Sequence, residues 1–221
     1  MFEFVQTRIQ GADLLVIWPR LGLFSRIRLA FQLCGMVRRM HTVTSPTAGF
    51  LGTGLCRSFW VENDRYGIPR PASPELLSSI VNFWHNLVSF RCGARKTLQE
   101  HKASCLQPTV AEDLVFTHHD LASRNIMLET VTGRLWVVDW DDAGFYPPSF
   151  ERAAMHNFIP PLEWSSFARW RWTVFAWIAT GFVWGERGIL VEVSRKTLRF
   201  PASRRFNIKA GATTSVKPVD D

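Results

Sequence analysis

The strongest constraint on what this chain can fold into lies in residues 114–146, LVFTHHDLASRNIMLETVTGRLWVVDWDDAGFY. LVFT is a short apolar strand that runs straight into His118-His119-Asp120. IMLE and RLWVVD are two further β-rich runs, and TVTG between them supplies turn residues, so the pair reads as a hairpin. One Asp (Asp120) therefore follows a strand, an Asn (Asn125) comes five residues later, and the hairpin delivers a second Asp (Asp139) at the end of a strand. In AGFYPP, Gly144, Pro147 and Pro148 are expected to stop any regular element.

Taken singly, Asp120, Asn125 and Asp139 are ordinary turn and cap residues. Taken in this order and spacing, they are the groups that phosphoryl transfer from a nucleotide needs. One carboxylate orients or deprotonates the attacking hydroxyl, and two oxygen ligands hold Mg²⁺ against the phosphates. A second chemistry is open to His118, His119, Asp120 and Asp139, the metal site of an HD-type phosphohydrolase. That site is built on helices, whereas LVFT and RLWVVD read as strands, which disfavours it. Asp141 and Asp142 read as solvated or structural acids beside the ligand, and Glu151 as a cap or a pairing group with no catalytic role.

The pieces match the pattern H-x-D-x-x-x-x-N and the later metal-binding Asp of protein-kinase-like enzymes. The chain resembles the aminoglycoside phosphotransferase family, and more narrowly its fungal kinase-like members. THHDLASRN is similar to their catalytic loop, and Asp139-Trp140-Asp141-Asp142-Ala143-Gly144 to their D-W-x-x-A-G context. The resemblance covers roughly residues 1–190 and is sharp over 114–150. It implies a protein-kinase-like α+β fold, here mainly the helical C-terminal lobe with a catalytic-loop hairpin. It also implies ATP- and Mg²⁺-dependent phosphorylation of a hydroxyl on a small molecule. Asp120 then corresponds to the catalytic base, His118 to the histidine that shapes the loop, and Asn125 and Asp139 to the Mg²⁺ ligands that hold ATP. His119 departs from the family, which often has Gly or Asn there.

On this resemblance residues 1–18 are the hinge and the end of a small-lobe remnant, with the backbone of Phe2-Glu3-Phe4-Val5 facing adenine. Residues 19–193 are the large lobe, and 194–221 a basic, loosely ordered tail. The chain is expected to start almost at the hinge, without the small lobe's phosphate-binding Lys. Gly52-Thr53-Gly54 lies too far downstream to replace that lobe's nucleotide loop and reads as a turn. An alternative function follows: a catalytically inactive pseudokinase or truncated module, whose uncovered small-lobe face meets a protein partner.

Elsewhere the chain is helical by pattern. Ile27, Leu29, Ala30, Leu33, Met36 and Val37 recur at helical spacing after a Ser25 N-cap. Thr42–Pro74 reads as an irregular loop, and a second helix starts near Ser73. Helical patterns resume near Phe150 and run to about Val193. Trp164, Trp170, Trp172, Trp177 and Trp184 crowd one stretch whose uncharged part, Trp172–Gly185, is shorter than the roughly 20 residues of a spanning helix, so it reads as a buried core helix. No secretory signal is visible and Cys34, Cys56, Cys92 and Cys105 form no CxxC pair, which points to reduced thiols in a cytoplasmic protein. The 26 Lys and Arg against 19 Asp and Glu suit an anionic ligand. The basic stretch from Arg195 carries no nucleic-acid motif, so no nucleic-acid partner is expected.

Overall fold

The computed structural model describes residues 9–54, 56, 72–78 and 113–181. The expected adenine-facing segment 2–5, most of the second helix, and everything after residue 181 lie outside the described residues.

Strand β1 (Gly11–Asp13) leads into a one-turn helix α1 (Leu14–Ile17) because Asp13 caps it, its carboxylate accepting the Val16 N–H at 2.9 Å. After a 3-10 turn at Trp18–Arg20 comes the long helix α2 (Leu23–Met40). It starts two residues before the expected Ser25 cap, with Gly22 at the N-cap position and no side-chain cap. Leu29, Ala30, Leu33 and Val37 face the core as the 3.6-residue period requires, whereas Ile27 points outward on a rim with Leu23, Phe24 and Phe31.

The expected loop after α2 contains two short strands, β2 (Thr44–Ser45) and β3 (Gly49–Phe50). Gly52-Thr53-Gly54 is a turn, closed by the Gly54 N–H on the Phe50 carbonyl at 2.8 Å. Residues 74–78 are helical, and the Ser73 hydroxyl accepts the Leu76 N–H. Then follow β4 (Leu114–Thr117), β5 (Ile126–Glu129), β6 (Leu135–Val137) and β7 (Gly144–Tyr146). The chain ends its described part with helices α3 (Pro148–Asn157) and α4 (Ser166–Thr180).

Two antiparallel sheets result, one in the order β1-β5-β6 and one in the order β2-β4-β7-β3. The expectation that AGFYPP would stop regular structure was wrong at both ends. Gly144 is small enough to enter the sheet between β4 and β3, since a Cβ there would lie 2.4 Å from the Gly49 carbonyl oxygen. Pro148 opens α3, in the first helical turn where the missing N–H costs nothing.

The main core lies between α2 and α4, centred on the fully buried Trp18. Its ring stacks on Trp164 (centroids 6.1 Å) and meets the edges of Trp172 and Phe175 at 5.2 and 5.1 Å. Two of the three buried indoles find acceptors across the chain: Trp18 Nε1 donates to Ala168 O at 2.9 Å, and Trp164 Nε1 to Leu15 O at 3.2 Å, whereas Trp172 Nε1 has none among the described residues. The tryptophan-rich stretch is thus a core helix in its described part. Among the described residues no helix is long and apolar enough to cross a membrane.

Candidate active site

The loop His118–Asn125 hangs between β4 and β5, and its backbone is tied down from three sides. The buried Glu151 on α3 accepts the His118 N–H at 2.5 Å and the His119 N–H at 3.1 Å. The His118 ring spans the loop to the hairpin: Nδ1 accepts the Asp120 N–H at 3.3 Å, and Nε2 pairs with the Val138 carbonyl at 3.0 Å. These partners define the tautomer, with the proton on Nε2. At the far end a 3-10 turn (Ser123–Asn125) closes with Asn125 N–H on Ala122 O at 3.0 Å.

Asp120 and Asn125 are brought into contact. Asn125 Nδ2 donates to both the Asp120 carbonyl (3.0 Å) and its Oδ2 (2.9 Å). Arg124, one turn after Asp120, pairs with the same Oδ2 through its NH2. Asp120 Oδ1 and Asn125 Oδ1 carry no hydrogen bond among the described residues, so one carboxylate oxygen and one amide oxygen are left as open acceptors.

Asp139 reaches the same place through the hairpin register. Ile126 pairs with Val137, and the next rung is the Val138 N–H on Asn125 O at 3.0 Å, so Asp139 stands one residue beyond Asn125's partner. Asp139 and His119 are the two non-glycine residues with positive φ among those described, at 64° and 70°. Strain of this kind costs on the order of 1–3 kcal/mol and persists only where surrounding contacts impose it. At Asp139 those contacts are its neighbours. Val138 is held by the two hydrogen bonds already given, and Trp140 stacks on Phe116 (5.9 Å), meets the His118 ring edge-on (4.5 Å) and donates from Nε1 to Val137 O.

His119 turns inward. Its ring is buried against Tyr146 (4.4 Å) and Phe150 (5.8 Å), and neither nitrogen has a hydrogen-bond partner. Burial, then the neighbouring His118, holds its pKa down at about 3, so the ring is neutral. His118 is also held below the ordinary value, by burial first. The Val138 carbonyl and the carboxylates of Asp120, Asp139 and Asp142 pull the other way. Glu151 is pushed up to about 7 because burial outweighs the two N–H bonds that favour its ionised form.

Of the three polar residues expected from sequence, Asp120 and Asn125 are thus in contact and the register sets Asp139 at the same end of the hairpin, while His118 is buried as a brace for the loop. Glu151 is a pairing group as expected, with the loop backbone as the partner the sequence did not name, and Arg124 makes a contact not expected from sequence. No local pattern marks the partners of Glu151, since it stands between Phe150 and Arg152 and those partners are backbone N–H groups. Among the described residues no three His, Cys, Asp or Glu side chains cluster as a metal site. Two oxygen donors, Asn125 Oδ1 and the Asp139 carboxylate, suit a hard cation that completes its shell with water and phosphate oxygens.

Compared with known proteins, residues 2–180 match the model of the phosphotransferase enzyme family. No curated protein matches the chain.

Proposed function

The chain belongs to the phosphotransferase enzyme family and has its protein-kinase-like α+β fold, and we propose that it transfers the terminal phosphoryl group of Mg-ATP to a hydroxyl of a small molecule. The observation that carries this reading is the division of labour around Asn125: its amide nitrogen is spent on Asp120, which leaves its oxygen free beside the register position of Asp139.

In this reading Asp120 accepts the acceptor's hydroxyl proton at Oδ1, while Asn125 and Arg124 hold the carboxylate by Oδ2. The hydroxyl oxygen then attacks the phosphorus in line with the leaving oxygen. Asn125 Oδ1 and Asp139 would hold Mg²⁺, which when bound neutralises charge on the nucleotide phosphates. His118 and Glu151 act at one remove. They fix the backbone from which Asp120 projects, which matters because transfer is mostly positioning and charge stabilisation. Residues 19–193 form the large lobe on this reading, and adenine would meet the backbone of residues 2–5.

The test is thermal unfolding of the 221-residue chain with and without Mg-ATP, beside Asp139→Asn. Ligand at a hundred times its dissociation constant adds about 2.7 kcal/mol of stability. The wild type should gain on this scale and the variant should not. A variant stabilised as fully as the wild type removes Asp139 from the metal site, and no gain in either removes the nucleotide.

A further inference from the structure

We propose that Arg124 is a catalytic residue that stabilises the charge on the transferring phosphoryl group, an inference that rests on the phosphotransferase reading above. The need for such a group is visible in the segment itself. Between His118 and Tyr146 the chain carries Asp120, Glu129, Asp139, Asp141 and Asp142, and its only Lys or Arg residues are Arg124 and Arg134. Arg134 lies just before β6, at the turn end of the hairpin, so Arg124 is the cation of this segment at the Asp120 end.

Its placement has two parts. The backbone is immobilised, because Arg124 sits within the 3-10 turn between the buried Ser123 and Asn125. The side chain is half exposed (48%) and engages the Asp120 carboxylate, itself 19% exposed, through a single nitrogen. A guanidinium has five N–H donors in a planar fork, and among the described residues Asp120 is its one hydrogen-bond partner, so most of those donors are uncommitted.

Stability does not account for the pair. An exposed i,i+4 ion pair contributes roughly 0–1 kcal/mol. Chemistry gives it a use. The hydroxyl that yields its proton to Asp120 must come within about 3 Å of Oδ1. The phosphorus it attacks stands roughly 3–3.5 Å further on in a reactive complex. A guanidinium already touching Oδ2 then lies within reach of the phosphoryl oxygens, where charge spreads as the bond to the leaving oxygen breaks. Arg124 makes and breaks no covalent bond: the proton goes to Asp120, the phosphoryl group to the hydroxyl oxygen, and ADP leaves.

Titration calorimetry on the full chain tests this with Mg-ADP, Mg-ATP, and Mg-ADP plus aluminium fluoride, a mimic of the transferring group. The wild type should bind the fluoride complex more tightly than Mg-ADP. In Arg124→Gln, Mg-ADP affinity should stay within about twofold while the fluoride complex weakens on the order of a hundred-fold, the usual effect of deleting one preorganised charge stabiliser. Arg124→Lys should fall between, keeping the charge and losing the fork. An equal loss on all three ligands would mean that Arg124 only braces the loop, and would overturn the inference, as would no loss. A wild type that binds Mg-ADP but gains nothing from fluoride overturns it too and leaves the nucleotide site standing. A wild type that binds no nucleotide overturns the phosphotransferase reading together with it.

Discussion

Glu151 shows how a residue with no contact to the reacting groups can govern them. Its two oxygens accept the successive N–H groups of His118 and His119, and the second of these residues is held at φ 70°. A protonated carboxyl still offers lone pairs on both oxygens, whereas the NH₂ of an amide offers none. Glu151→Gln is therefore expected to leave one buried N–H facing a donor, at a cost of about 1–3 kcal/mol. Chemical denaturation at fixed pH measures this, and a loss below a few tenths would show that the loop does not depend on those bonds. At this scale residue type and spacing single out Asp120, Asn125 and Asp139; the structure joins Asp120 to Asn125, and the hairpin register puts Asp139 at the same end, while their roles belong to the function proposed above. Glu151 is expected only as a cap or pairing group, because its partner is backbone, and backbone leaves no mark in a sequence. The preference for Gly or Asn at position 119 has a physical reason in the left-handed backbone there, which His119 adopts under strain.

At the scale of elements, local pattern read well where one strand pairs with the next in sequence. The hairpin of β5 and β6 is expected from two β-rich runs and the turn residues between them, and it is there. Strand β7 was missed because its reason is not local. Gly144 has poor strand propensity, but only glycine lets β7 lie against β3, where the Gly49 oxygen comes within 2.4 Å and the Phe50 Cα within 2.9 Å of a built Cβ. Both obstacles are backbone, so no rotamer change relieves them. Gly144→Ala should separate β3 from β7 and destabilise by about 1–3 kcal/mol. The loss of exchange protection should be largest at β3 and at the Leu51 N–H, which bonds to Ala143 O at 3.1 Å. A variant with wild-type melting temperature and intact protection there would show that the sheet yields more easily than its backbone contacts imply. The start of α2 was misplaced for a related reason, since Gly22 caps by backbone conformation without a side-chain signal.

At the scale of the whole molecule, the core was expected as a tryptophan-rich helix, yet its centre is Trp18, whose indole partner Ala168 is 150 residues away. No periodicity reports a contact of that range. A separate packing against Tyr146 and Phe150 buries His119, and Glu151 is fully buried beside the same loop; their opposed shifts set how stability depends on pH. Glu151 is raised from 4.5 to about 7, so between those values the folded chain holds a proton that the unfolded chain lacks, and stability falls as pH rises. His119 is lowered from 6.5 to about 3, so between those values the unfolded chain holds the extra proton, and stability rises with pH. From pH 4.5 to 6.5 the two cancel. Below 4.5 only the histidine acts, and the folding equilibrium should weaken about tenfold per pH unit down to 3. His118 and His41, both held low chiefly by burial, add to the rise with pH and tilt the plateau so that its maximum lies near 6.5. Between 6.5 and 7 Glu151 acts alone and the curve turns down. In Glu151→Gln the compensation is gone, so stability should climb steadily from about pH 3 to 6.5 and then stay level. Denaturation midpoints of both chains across pH 3–8 decide the matter. If the variant kept the wild type's plateau, the flatness would not come from Glu151 opposing the buried histidine, and the carboxyl would have to be ionised across the whole range.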